Sequence, residues 1–466
     1  MSVTALPPLP QGRPVEPVLL RFGDQWKLTL LHFDLAVITL WFYVTTVQFR
    51  YDELLLYPMA LYFTFAFFRD RHMTWPVLQR GFILLLVPIW WMTSALWSPE
   101  PALAFRSGLQ SLLTILICMF MASRLDTRLL LSMLLIALAV FAFWSLPVGL
   151  VGLSYGTPIK AMYPHKNAFG IDMSVLWVSA LALLLSPGVP KLVRVTAMAT
   201  MPIALLLVFA SQSATAILLS FGMAGVLIGA LVYLGRKNTL TFGRIALLSL
   251  TVSFLLGVIV AWTNLASTDP ITLVLNALGK DRGLTGRTDL WAIAMAEIAE
   301  RPLLGTGAKG YWRYDDTPFI RQIFIDYYKE RGNNFHFHNS WLELSVNIGI
   351  VGAFLAAIAT LWALGVLLWR AVSIGNPLNW ALLAVGLAVF ARTMTEAALF
   401  SAFVKLDMIL WTGALILPSA TGGARRFGEV GRIDVHSPPI LLKKQCVAAQ
   451  HGARKARLNA RLHRGR

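Results

Sequence analysis

Stretches of eighteen or more predominantly apolar residues recur along most of this 466-residue chain. No other feature constrains its fold as much. A helix needs about 20 such residues to cross a hydrocarbon layer ~30 Å thick, and a backbone facing lipid must satisfy its own hydrogen bonds. The chain is 57% hydrophobic and 14% charged, whereas soluble domains average ~25% charged residues. The reading is an all-α polytopic membrane protein. A transmembrane barrel is excluded, because barrel strands are ~10 residues of alternating polarity and these runs are continuous. Spans are expected at 28–49, 54–69, 77–97, 103–123, 129–153, 168–186, 193–210, 213–235, 243–263, 341–369, 378–399 and 402–418, about twelve transmembrane helices.

The net charge of +17 invites a nucleic-acid partner, and its distribution argues against one. Between Pro418 and Arg466 there are eleven Lys/Arg and two acidic residues, about half the excess. Such a basic tail suits an anionic lipid surface. Much of the rest falls in short loops that alternate along the chain: Arg69 and Arg71, Arg124 and Arg128, Lys191 and Arg194, Arg236 and Lys237, then Arg370. By the positive-inside rule these loops and both termini are cytoplasmic. The expected organisation is a cytoplasmic segment over 1–27, a membrane domain over 28–418 and a basic cytoplasmic tail over 419–466. Residues 264–340 then form one large extracytoplasmic loop. Residues 1–27 lack an h-region and cleavage site, so the first helix is expected to act as the targeting signal. Cys118 lies in a span and Cys446 in the tail, and no structural disulfide is expected.

The large loop carries nine Lys/Arg and nine Asp/Glu. Within it, Leu290, Ile293, Ala294 and Ile298 recur at helical spacing, which predicts a helix over Thr288–Ala299. Gly283–Gly286 favours a turn before it, with Thr285 or Thr288 as cap. Arg287 then sits at a helix start, where backbone N–H groups and the helix dipole already favour an anion. Arginine there either binds phosphate bidentately or pairs with Asp281 or Asp289. His336 and His338 project to one side if the segment is extended. An imidazole there can take a proton from a hydroxyl, or simply serve the next helix as a cap. A metal would need a third ligand; Glu343 is near in sequence, but no spacing motif supports it. Asp315 and Asp316 read as a solvated turn or a metal-binding pair.

Four shorter segments share the side of the large loop: Trp97–Arg106, Tyr155–Gly170, Ser211–Ser213 and Arg392–Glu396. Lys166, beside His165 and Asn167, is either an interfacial lysine or a second cation for an anionic headgroup. Asp172, one turn into a span, defaults to a functional or paired role. Arg392 and Glu396, four residues apart, form an intrahelical pair or face a polar cavity.

Three motifs occur in order: Gly286-Arg287-Thr288-Asp289-Leu290-Trp291, then Pro302-Leu303-Leu304-Gly305-Thr306-Gly307, then His336-Phe337-His338-Asn339-Ser340-Trp341-Leu342-Glu343 with Gly349 and Gly352. This pattern resembles the superfamily of O-antigen ligases and Wzy-type O-antigen polymerases. Tyr163–Gly170 and Ser211–Thr215 look closest to the succinoglycan-type exopolysaccharide polymerases. The resemblance implies a GT-C-like membrane glycosyltransferase of the bacterial inner membrane that needs no metal or other cofactor. Its implied function is polymerisation of undecaprenyl-pyrophosphate-linked oligosaccharide repeat units at the periplasmic face. The implied partners are that lipid-linked donor, the growing polysaccharide chain, the bilayer, and a chain-length regulator or export complex. His338 would be the general base. Arg287 would hold the pyrophosphate, with Lys166 or Arg392 as a further cation. His336, Asn339 and Glu396 complete the expected substrate-binding set. Two positions depart from the pattern: Ala214 stands where many members have arginine, and Asn347 where an acidic residue is common. The alternatives are ligase-type transfer of a glycan to lipid A core or protein, and a polysaccharide or lipid transporter that uses Lys166, Asp172, Arg392 and Glu396 as a relay.

Overall fold

The computed structural model describes residues 19–22, 26–46, 53–163, 165–235, 287–327, 329–331 and 335–417. The expected span 243–263, the turn at 283–286, most of the N-terminal segment and the basic tail lie outside the described residues. A two-stranded antiparallel ribbon, β1 (Leu19–Phe22) and β2 (Trp26–Thr29), pairs Leu19 with Thr29. It is the one sheet among the described residues, whose other regular elements are fourteen α-helices and one short 3-10 turn. The helices are α1 (Leu30–Val44), α2 (Glu53–Arg69), α3 (Arg71–Gly81), α4 (Ile83–Thr93), α5 (Pro101–Arg124), α6 (Thr127–Ser154), α7 (Lys166–Leu185), α8 (Lys191–Ala210), α9 (Ala214–Gly235), α10 (Arg287–Glu300), α11 (Pro318–Asp326), α12 (Ser340–Ile374), α13 (Pro377–Arg392) and α14 (Lys405–Leu415).

Six of these are long and apolar enough to cross a membrane: α5, α6, α7, α8, α9 and α12. The stretch expected as one span at 77–97 is a bent pair, α3 with the segment Ile83–Leu96, turning through 80°. The apolar runs at 28–49, 54–69 and 378–399 become the shorter helices α1, α2 and α13. Twelve apolar runs therefore do not yield twelve full-length helices. An apolar run measures composition, while a crossing also needs ~20 uninterrupted helical residues. α7 is the most enclosed of the six, with 83% of its apolar window buried; it packs against α6, α8, α9 and α13.

The two ends of the bundle differ. At the basic-loop end, Asp34 is fully buried and pairs with Arg69 (3.2 Å) and Arg124 (3.0 Å), and both arginines also pair with Asp70. Arg370, expected in a loop, lies inside α12. Only 2% exposed, it donates to the Gly413 and Ala414 carbonyls, so it caps the C-terminus of α14.

The other end gathers the loops. The expected helix at 288–299 is present as α10, with Leu290 and Ala294 buried. It rests on α12. Between them runs Pro302–Gly307, docked into a break in α12 at Ile348 and Gly349, whose φ is +70°. Ile350 N–H donates to Pro302 O and Thr306 N–H to Val346 O, both at 2.8 Å. A Cβ on Gly349 would lie 1.9 Å from the Leu303 carbonyl oxygen, so only glycine fits. Tyr311, Phe324, Phe335 and Phe337 build a second small core over this junction. Trp97 and Ser98 reach it as well, donating to Leu304 O (3.1 Å) and Ala308 O (3.0 Å).

Candidate active site

Three of the four shorter segments converge on one carboxylate, Glu396. It follows the last residue of α13 by one turn, its N–H donating to Arg392 O at 2.9 Å. Ser340, the first residue of α12, holds that turn in place. Its N–H donates to Thr393 O (2.8 Å), its hydroxyl donates to Glu396 O (2.6 Å), and the same hydroxyl accepts from Ala398 and Leu399 N–H. The carboxylate is 11% exposed and faces three groups from distant parts of the chain. His338 Nδ1 lies 3.7 Å away, Arg287 Nη2 4.0 Å and Asn167 Nδ2 3.4 Å. Asn167 is itself held by Ser213, whose hydroxyl donates to Asn167 Oδ1 at 2.9 Å. The segments at 155–170, 211–213 and 392–396 and the large loop thus meet at one point.

Burial alone would raise the Glu396 pKa. The neighbouring imidazole of His338 and the charge of Arg392 outweigh it and hold the carboxyl down at about 2. Glu396 is therefore an anion at any working pH. His338 Nδ1 is buried and faces this anion, while its side chain is 33% exposed. A carboxylate facing one ring nitrogen orients an imidazole.

His336 plays a different part. Its Nδ1 accepts the His338 backbone N–H at 3.2 Å, so the neutral ring carries its proton on Nε2. Burial, with the His338 charge beside it, pushes its pKa down to about 4. The two rings do lie together, with centroids 4.2 Å apart, but not through an extended strand. His338 has φ +52°, in the left-handed region.

The structure brings Arg287, His336, His338 and Glu396 into one cluster. Arg287 begins α10. Arg392 is half-buried beside the cluster, and its Nε has no hydrogen-bond partner among the described residues. Of the two alternatives for Arg392 and Glu396, the intrahelical pair does not form: α13 ends at Arg392, and the close ion-pair contacts of Glu396 are with Arg287 and His338. Asn339 is the N-cap of α12, its side-chain oxygen accepting from Trp341 N (2.9 Å) and Leu342 N (3.3 Å). Lys166, the first residue of α7, is exposed and makes no ion pair among the described residues. Ala214, where the resemblance leads one to expect arginine, starts α9 next to Ser213 and brings no cation to the cluster.

His336, His338 and Glu396 each offer one ligand atom within 4.8 Å of the others, a spacing that suits a metal ion. The chemistry of the set favours a proton-transfer pair instead. The Arg287 guanidinium already neutralises the carboxylate, and His336 Nδ1 is engaged by the main chain. Sequence reasoning missed Ser213 and the role of Asn167 as bridges, and it missed Lys405. This lysine, 5% exposed, pairs with Asp172 and donates to Thr46 Oγ1 at 2.6 Å. A lysine inside the last apolar run was the available signal.

Fold and site together define a multi-pass membrane protein with a polar cluster of imidazole, carboxylate and guanidinium at one end of its helices. Residues 199–357 match the O-antigen ligase family. The chain is also 27% identical over 331 residues to the exopolysaccharide production protein ExoQ of Rhizobium meliloti (strain 1021), across 69% of this chain and 74% of that protein. The resemblance read from the motifs is thus upheld: the chain is similar to the O-antigen ligase family and to an exopolysaccharide production protein. The family match includes Arg287, His336, His338 and Asn339. Lys166, Arg392 and Glu396 lie outside it.

Proposed function

We propose that this protein is a glycosyltransferase that joins oligosaccharide units carried on a polyprenyl pyrophosphate, in the production of an exopolysaccharide. The observation that carries the reading is the convergence of His338, Glu396 and Arg287, with the likeness to ExoQ supporting a part in exopolysaccharide production. His338 takes the proton of the acceptor hydroxyl as the oxygen attacks the anomeric carbon. The bond from that carbon to the pyrophosphate oxygen breaks, and the pyrophosphate leaves with the electron pair. Arg287 at its helix start, with Arg392 beside it, neutralises the charge that develops there. Glu396 orients the imidazole and stabilises the imidazolium formed. Base and leaving group lie on opposite faces of the sugar, so the anomeric configuration inverts.

A small apolar crevice opens next to Arg392. Its walls come from α7, α9, α13 and α14, through Ile171, Leu219, Met223, Val389 and Leu406 among others. An apolar wall ending at a guanidinium suits an amphiphile with an anionic head. In this reading the loop end faces the periplasm, as the short basic loops at the opposite helix ends require. His338→Ala or Arg287→Ala, expressed to normal levels in a deletion strain, should abolish polymer. Full-length polymer from either variant would refute the proposal. The family match described as O-antigen ligase favours a second reading, transfer of finished glycan to another acceptor. Polymer of normal length but unattached in the deletion strain would select it.

A further inference from the structure

His338 holds a left-handed backbone (φ +52°). That conformation is strained for a non-glycine residue, so the surroundings must enforce it. The enforcing contacts fall on the two peptide planes before it. The plane between His336 and Phe337 is held through the Phe337 N–H, which donates to Glu343 Oε2 at 3.0 Å. The plane between Phe337 and His338 is held on both sides. Its carbonyl accepts from Trp291 Nε1 at 3.0 Å, and its N–H donates to His336 Nδ1 at 3.2 Å. The Phe337 ring is fully buried and anchors the segment from below.

Glu343 is built to do this. An ionised carboxylate is an acceptor only, and the groups around this one are N–H donors: Phe337 N and Trp312 Nε1 (3.3 Å) on one oxygen, Asn347 Nδ2 (2.9 Å) on the other. Asn347 is fixed in turn, its Oδ1 accepting from Lys309 N at 3.0 Å. Trp291 lies four residues after Arg287 on α10, so both project from one face of that helix. The Phe337 main chain therefore joins the helix carrying the guanidinium to the helix carrying Glu343, with the imidazole between them.

We infer that Glu343 is a positioning residue for His338: it acts through the Phe337 peptide, together with Trp291, to set the imidazole against Glu396 and Arg287. The inference rests on the glycosyl-transfer reading for its kinetic arm only. Glu343→Gln keeps the shape but turns an N–H donor toward Asn347 Nδ2. It should lower kcat roughly ten-fold or more while leaving KM for the lipid-linked donor unchanged, since a displaced catalytic group costs rate rather than donor binding. Trp291→Phe should lower kcat as well. The double variant should lose less than the product of the two single losses, because both act on one backbone segment. A second readout needs no glycan. Carbethoxylation of His338 by diethyl pyrocarbonate, followed by mass spectrometry, should change in rate in Glu343→Gln, with the exposed His72 on α3 as internal reference and the thermal midpoint near wild type. If Glu343→Gln leaves both kcat per folded molecule and His338 labelling at wild-type values, or loses activity only as it loses folded protein, the inference is overturned. If folded wild-type protein elongates no glycan, the glycosyl-transfer reading falls, and the labelling arm alone decides on Glu343.

Discussion

At the residue scale, the two histidines of one short motif have separate chemistry, and pH should separate them. In an unfolded chain an imidazole protonates near pH 6.5, whereas folded His336 stays neutral down to about 4. Between these values the unfolded state binds more protons, so stability is fully present above about pH 6.5 and declines as pH falls through the window. The thermal midpoint in detergent should drop between about pH 6.5 and 4, and His336→Asn should flatten that drop. An equal drop in the variant would show that another group governs it. The sequence made this pair visible as an imidazole doublet, and helical spacing placed Arg287 at a helix start. It did not reveal what Glu396 does. Four-residue spacing pointed back to Arg392, while the actual partners, Asn167, Arg287 and His338, are distant along the chain. No local pattern encodes a convergence of that kind.

At the scale of elements, the apolar runs gave nearly every described helix, and the period of 290–298 gave α10. The break in α12 was not legible. Residues 341–369 read as one uninterrupted span, yet Ile348 and Gly349 leave the helical region so that Pro302–Gly307 can lie in the gap. Gly349 and Gly305 carry that junction, both at positive φ and both facing backbone where a Cβ would go. Gly349→Ala should therefore remove most folded protein, read by fluorescence-detected size exclusion. Gly365→Ala, on the same helix with nothing near its Cβ position, should leave the profile unchanged. Similar profiles for the two variants would mean that the docked loop does not hold the site together.

At the scale of the whole molecule, the chain combines a charge-stitched basic end, an enclosed α7 and a loop-built polar end. The link between the membrane interior and the site is the Asp172–Lys405 pair, which ties α7 to α14. Lys405 opens α14 directly after the loop bearing Glu396. Removing one partner leaves a buried charge and costs ~3–5 kcal/mol. Asp172→Leu or Lys405→Met alone should lower the thermal midpoint sharply, and the double variant should recover much of it. Equal losses in single and double variants would contradict the pairing. The central claim is that one cluster, His338 with Glu396 and Arg287, transfers glycan from a polyprenyl pyrophosphate. Its most direct test is to incubate purified protein with an undecaprenyl-pyrophosphate oligosaccharide and a chelator, and to size the products. The account predicts a ladder of longer lipid-linked glycans from wild type and none from His338→Ala or Arg287→Ala. A full ladder from either variant, or no elongation by folded wild-type protein on its native donor, would contradict it.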